Sequence, residues 1–233
     1  MAAAAAHSLN KLLSQPKAAS KSRATGEIDD GTKKLRRMIL VEGIPSSIDP
    51  TLRPRIWKIL LRVNELPTDT YLHYVSRGPC QVREKIRNDT FRTLATDKGF
   101  KERVREDMLL LDRCLQFVDP ELYGYLRSKN LSAEIYAFPS ILTLCACTPP
   151  LDQVLQLWDF LLAFGVHLNV LCVIAQLLLM RDEVMASSSP MRLLRTFPPL
   201  EALPVIGIAV TLVRDLPPEL YDELVKHPFE VVH

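Results

Sequence analysis

The stretch TPPLDQVLQLWDFLLAFG, residues 148–165, decides how this chain folds. Leu151, Val154, Leu155, Trp158, Leu161 and Leu162 fall at i, i+3, i+4, i+7, i+10 and i+11. That spacing puts them on one face of a helix of 3.6 residues per turn. Pro149-Pro150 stands at its start and Gly165 ends it. The next run, Val166 to Met180, is apolar nearly all round, which suits a helix at the centre of a helical core. His167, Asn169 and Gln176 interrupt it, and a membrane span needs about 20 mostly apolar residues. No segment qualifies as one.

Working outward, the same period recurs. Leu35, Met38 and Ile39 mark a helix stopped by Gly43. Asp49-Pro50 reads as an N-cap with proline at the first helical position. Leu52, Ile56, Ile59, Leu60 and Val63 then form a stripe with Trp57 at its edge. Thr68-Asp69 opens a short helix carrying Tyr71, Leu72 and Val75. The apolar helix from Leu168 to Met185 runs to a Ser187–Pro190 break, and final helices are expected over Leu203–Val213 and Pro218–Lys226. No stretch alternates like a strand. The expected fold is all-α, one multi-helix domain over residues 35–227.

Residues 1–34 are expected to be a disordered tail. Met1 to Arg23 is rich in Ala, Ser and Lys and carries no acid, which loosely suits a presequence. Its only arginine is Arg23, and the amphipathic hint of Leu9, Leu12 and Leu13 is one turn long. Glu27 to Lys34 reads as a polar linker.

Composition is that of an ordinary globular protein, with 48% hydrophobic and 24% charged residues over 233 positions. A net charge of +2 lacks the basic excess of a nucleic-acid binder. The five cysteines, Cys80, Cys114, Cys145, Cys147 and Cys172, are odd in number and read as reduced thiols. Cys145 and Cys147 have no second close-spaced pair, and His167 does not complete a zinc set, so neither metal nor cofactor is expected. Lys33-Lys34-Leu35-Arg36-Arg37 reads as the solvated face of the first helix. Trp57 and Trp158 read as core, and Asp159 as a structural hydrogen-bond acceptor.

Three segments resemble the TBC family, helical domains that accelerate GTP hydrolysis on Rab-like small GTPases. Gly43-Ile44-Pro45 followed by Leu52-Arg53 and Ile56–Leu61 looks like the opening motif. Ile86-Arg87-Asn88-Asp89-Thr90-Phe91-Arg92-Thr93 matches the pattern Ile-x-x-Asp-x-x-Arg-Thr. Leu157–Leu162 with Gly165 is similar to the late Trp-Asp helix. In detail the chain looks closest to fungal members of the mitotic-exit and septation checkpoint, which act with a partner subunit at the spindle pole body.

The resemblance implies a regulator, not an enzyme itself, acting on a GTP-bound partner in the cytoplasm. It implies that Arg92 is an arginine finger, that Asp89 orients it through a charge-assisted pair, and that Thr93 fixes the local backbone. A guanidinium stays charged and can contact two phosphate oxygens at once. Such fingers are worth roughly 10³–10⁵ in rate on Ras-type GTPases. Without the flanking motifs, Arg92 would be one of many surface charges between Arg83 and Asp107.

The family's second motif, Tyr-x-Gln-Gly, supplies the glutamine that orients the attacking water. No Tyr-x-Gln occurs after Arg92. Instead Arg103–Met108 runs directly into Leu110–Cys114, which looks like a helix that normally lies well beyond that motif. The domain therefore reads as shortened internally near residues 107–110. Two further readings stay open: a non-catalytic checkpoint scaffold, or a defective shortened isoform.

Overall fold

A computed structural model of the chain describes residues 2–14, 30–63, 67–82 and 98–228, except for the side chains of residues 98–101 and 103. Among the described residues there is no strand, and the fold is all-α as expected. The helices are α1 (Ala2–Leu13), α2 (Asp30–Glu42), α3 (Leu52–Leu60), α4 (Thr68–Ser76), α5 (Lys98–Val118), α6 (Pro120–Ser128) and α7 (Ala133–Tyr136). There follow α8 (Phe138–Leu142), α9 (Leu151–Phe164), a 3-10 turn (Val166–Leu168), α10 (Asn169–Leu179), α11 (Arg181–Ala186), α12 (Pro190–Leu194), α13 (Ala202–Asp215) and α14 (Pro218–Lys226).

α10 is the axis of the larger core. Every residue from Asn169 to Leu177 is buried, with Leu171, Ile174 and Leu177 fully enclosed. Burying each such side chain is worth roughly 1.5–3 kcal/mol. α13 packs most extensively against it, and α5 and α8 close its other sides. The helix stops at Met180, and α11 takes up the rest of the run expected to be continuous to Met185. Arg181 explains that break: its guanidinium turns toward α6, bonding Asp119 at 2.6 Å and Glu121 at 2.5 Å. Asp119 also caps α6 by accepting the Leu122 N–H at 2.9 Å. Burial works against its charge, but Arg181 and the Leu122 N–H outweigh that and hold the carboxyl below its usual range.

α9 lies between this core and a smaller one. Val154, Leu157, Phe160 and Leu161 belong to the larger core, while Ala163 faces α1, α2 and α3. The buried face is thus rotated from the expected one: Leu151 is 70% exposed, and Leu155 and Leu162 are only partly buried. A helix packed on two sides has no single stripe, so the i, i+3, i+4 count found the helix but not its orientation.

α5 runs unbroken from Lys98 to Val118, straight through residues 107–110. Met108, Leu110, Leu111, Cys114 and Leu115 enter the larger core. α3 begins at Leu52 rather than Pro50, because Asp49 bonds both the N–H and the hydroxyl of Thr51 in a turn of its own. α4 differs more. Its nine residues are all exposed, including Tyr71, Leu72, Tyr74 and Val75.

The expected tail over residues 1–34 is corrected at two places. Ala2–Leu13 is helical and docked, with Leu9 fully buried and Ala6 beside it against α2 and α3. α2 begins at Asp30, inside the expected linker. Alanine has the highest helix propensity, and five in a row sustain a helix that one short apolar face can dock. Residues 15–29 lie outside the described residues. Leu9→Ala is expected to lower the unfolding free energy by about 2 kcal/mol or more. Urea denaturation checks this; no change would return residues 2–13 to a tail.

Candidate functional site

The three residues assigned to catalysis by resemblance, Asp89, Arg92 and Thr93, lie outside the described residues. The described residues do bring together two of the three motif segments. Asp159, from the late Trp-Asp helix α9, is 2% exposed. It meets Arg53 and Trp57, both from the opening motif on α3. Arg53 Nε donates to Oδ1 and Oδ2 of Asp159 at 3.0 and 3.2 Å, and Nη2 donates to Oδ2 at 3.0 Å. The Trp57 indole N–H donates to Oδ1 at 2.7 Å. Arg53 Nη1 reaches on to the Ser46 hydroxyl at 2.8 Å, tying in the turn before α3.

Burial pushes the Asp159 carboxyl upward, and the Arg53 guanidinium and the Trp57 N–H oppose it. Arg53 and Trp57 are four apart, so they sit on one face of α3 and converge on one carboxylate. This is the acceptor role expected for Asp159. No role was assigned to Arg53 from sequence, although the buried acid and the i, i+4 Arg–Trp pair were both visible. Trp57 and Trp158, expected in the core, are partly buried instead, their rings 6.1 Å apart. Each indole N–H needs an acceptor: Trp57 uses Asp159, and Trp158 uses the Leu144 carbonyl at 2.8 Å.

That carbonyl belongs to a turn in which Leu144 and Cys145 have φ of 50° and 62°, a left-handed conformation costly for side chains with a Cβ. Trp158, the Cys145 N–H bonded to the Ser140 carbonyl at 2.8 Å, and buried Asn169 hold it in place. Cys145 points inward, its thiol donating to Asn169 and accepting from Gln176, while Cys147 is exposed. Burial pushes the Cys145 thiol up to about 12, so it stays protonated and is a poor metal ligand. Among the described residues, no group of three or more His, Cys, Asp or Glu side chains is placed to hold a metal ion, and no helix is long and apolar enough to cross a membrane. A cavity of about 370 Å³ opens between α5, α6 and α14, with Leu109, Asp112, Arg113, Arg127 and Glu223 in its walls. Both signs of charge line it, and Arg113 pairs with Glu223 across it.

The Arg53–Asp159 arrangement makes a sharp stability forecast. Asp159→Ala strands a partly buried guanidinium and should cost about 3–5 kcal/mol. Replacing both partners, Arg53→Met with Asp159→Leu, should cost less than Asp159→Ala alone. Chemical unfolding of the three variants checks the order, and the reverse order would mean the pair is not a closed unit.

Comparison with known proteins connects this frame to a family. The model of the Rab-GTPase-TBC domain matches residues 88–185, a window that takes in Asp89, Arg92 and Thr93 as well as Asp159. Cell division control protein 16 of Schizosaccharomyces pombe is 35% identical over 263 aligned residues, covering 84% of this chain and 88% of that protein. A putative mitotic check point protein BUB2 of Dictyostelium discoideum is 34% identical over 282 residues, covering 88% and 77%. The mitotic check point protein BUB2 of Saccharomyces cerevisiae is 32% identical over 277 residues, covering 83% and 90%. Each aligned stretch is longer than the 233 residues of this chain, so each relative holds residues without a counterpart here. With the match extending over most of both partners, the chain belongs to the Rab-GTPase-TBC domain family.

Proposed function

We propose that this chain regulates a GTP-bound, Rab-like small GTPase in the control of mitotic exit and septation, offering Arg92 as an arginine finger in trans. It is a weak activator in this form. The observation that carries the reading is the ungapped Asp89–Arg92–Thr93 motif inside the family match, on a chain whose relatives are named as cell-division and mitotic check point proteins. Arg92 would neutralise charge on the phosphate oxygens as the bond to the leaving group lengthens. Asp89 would orient it. The GTPase brings its own nucleotide and metal, so the regulator itself needs neither. A checkpoint partner subunit and a place at the spindle pole body belong to the same reading.

The weakness comes from what is missing. Three observations support a shortened domain: no Tyr-x-Gln follows Arg92, the alignments outrun the chain, and α4 exposes Tyr71, Leu72, Tyr74 and Val75. An apolar helix face of that kind normally has a cover, and residues that the relatives hold are a natural one. An arginine stabilises charge but does not place the attacking water. Where two groups act as a unit, losing one typically costs nearly as much as losing both. These observations also favour a second reading, a binding subunit that engages the GTPase without accelerating it.

Single-turnover GTP hydrolysis on a candidate GTPase tests both. The 233-residue chain is expected to stimulate far less than a longer form containing Tyr-x-Gln-Gly, and Arg92→Ala should change its residual rate only slightly. In the longer form the same substitution should cost about 10³–10⁵ in rate. Strong stimulation by this chain, abolished by Arg92→Ala, would overturn the weak-activator reading. Binding with no stimulation at all would select the scaffold.

A further inference from the structure

His167 is 9% exposed, and its Nε2 has no hydrogen-bond partner. Its ring lies directly on Gly165, where φ is +130° and a Cβ would come within 2.2 Å of the ring. From the other side α14 covers it: the Tyr221 ring stands edge-on at 6.4 Å, and α14 packs on the 3-10 turn that carries His167. Just past α14 comes His227. Its Nδ1 is 2.5 Å from the Leu224 carbonyl, and its Nε2 is 3.4 Å from Asp107 Oδ1 on α5. Both nitrogens of His227 thus face acceptors. Among the described residues, no acceptor faces the His167 Nε2.

We propose that α14 is a proton-released strap, and that proton uptake at His167 lifts α14 off the 3-10 turn and α5. The docked arrangement holds the His167 ring out of water with no partner at Nε2, whereas the released one returns it to water. The charged groups of the elements packed on the turn are exposed or engaged elsewhere. Glu219, Asp222, Glu223 and Lys226 of α14 are exposed, and Glu223 is paired with Arg113. On α9 and α10, packed against the turn, Asp152 is exposed, Asp159 is committed to Arg53 and Trp57, and Cys172 is enclosed and uncharged. Release would open the wall of the α5–α6–α14 cavity that Glu223 forms and uncover Leu220 and Leu224.

Burial disfavours the charged His167 ring, and His227 opposes it further, so the docked state holds this proton less readily than the ordinary value of 6.5. The strap is therefore fully held above that value and loosens as the pH falls through it. One extra proton in the released state means about a tenfold larger open population per pH unit. Hydrogen exchange on the full chain between pH 5 and 8, corrected for intrinsic rates, reads this directly. Protection of residues 218–226 should fall about tenfold per unit below pH 6.5 while α10 keeps its protection, and His167→Gln should flatten the dependence. Protection that is independent of pH, or α10 and α14 opening together, would overturn the proposal. If His167→Gln does not fold, proton NMR of the unsubstituted chain decides: a His167 titrating at or above its ordinary value also overturns it.

Discussion

A carboxylate enclosed by helices is costly unless its lone pairs are filled, and Asp159 fills them from a helix about a hundred residues earlier in the chain. Arg53 and Trp57 together supply four contacts to its two oxygens, and Arg53 extends the network to Ser46. This joins α3 to α9. α9 also faces the larger core through Leu157, Phe160 and Leu161, so the α1–α3 unit is registered on the rest of the domain through one buried acid. Apolar contact at Ala163 brings the units together, but it is non-directional. The forked guanidinium sets the angle at which they meet.

The larger core rests on a similar bargain around α10. Asn169 and Gln176 are buried in an otherwise apolar helix, and both reach the Leu144–Cys145 turn. Trp158 reaches the same turn from α9. Side chains from two helices thus hold a backbone conformation that leucine and cysteine seldom adopt. The late Trp-Asp motif therefore has two structural tasks on adjacent residues: Trp158 holds the turn, and Asp159 holds α3.

The segment that resembles the family's arginine motif, residues 86–93, lies apart in sequence from the motif segments on α3 and α9. The frame is intact: α9 and α10 are continuous, and the motif residues on α3 and α9 meet. The relatives hold residues without a counterpart in this chain, and α5 runs from Lys98 to Val118 without interruption. α4 has a helical pattern with nothing among the described residues covering it.

Helical class, the positions of α2, α3, α9, α10, α13 and α14, and the family motifs were all legible in the sequence. Periodicity, Gly43, Gly165 and the proline starts are local signals, and local backbone preference is enough to read them. The acceptor role of Asp159 was legible too, because an acid amid leucines has few other uses. Its partner was not. Pairing Asp159 with Arg53 depends on how two helices cross, and no local pattern carries that information. The docking of α1, the rotation of the α9 face, the exposure of α4 and the break at Met180 have the same origin. Each depends on which surfaces meet across long sequence separations. The sequence by itself determined most of the helical segments and the motifs by which the chain resembles its family. Only the tertiary structure decided which faces are buried and which polar groups answer one another, because burial and hydrogen-bond pairing belong to the packed whole.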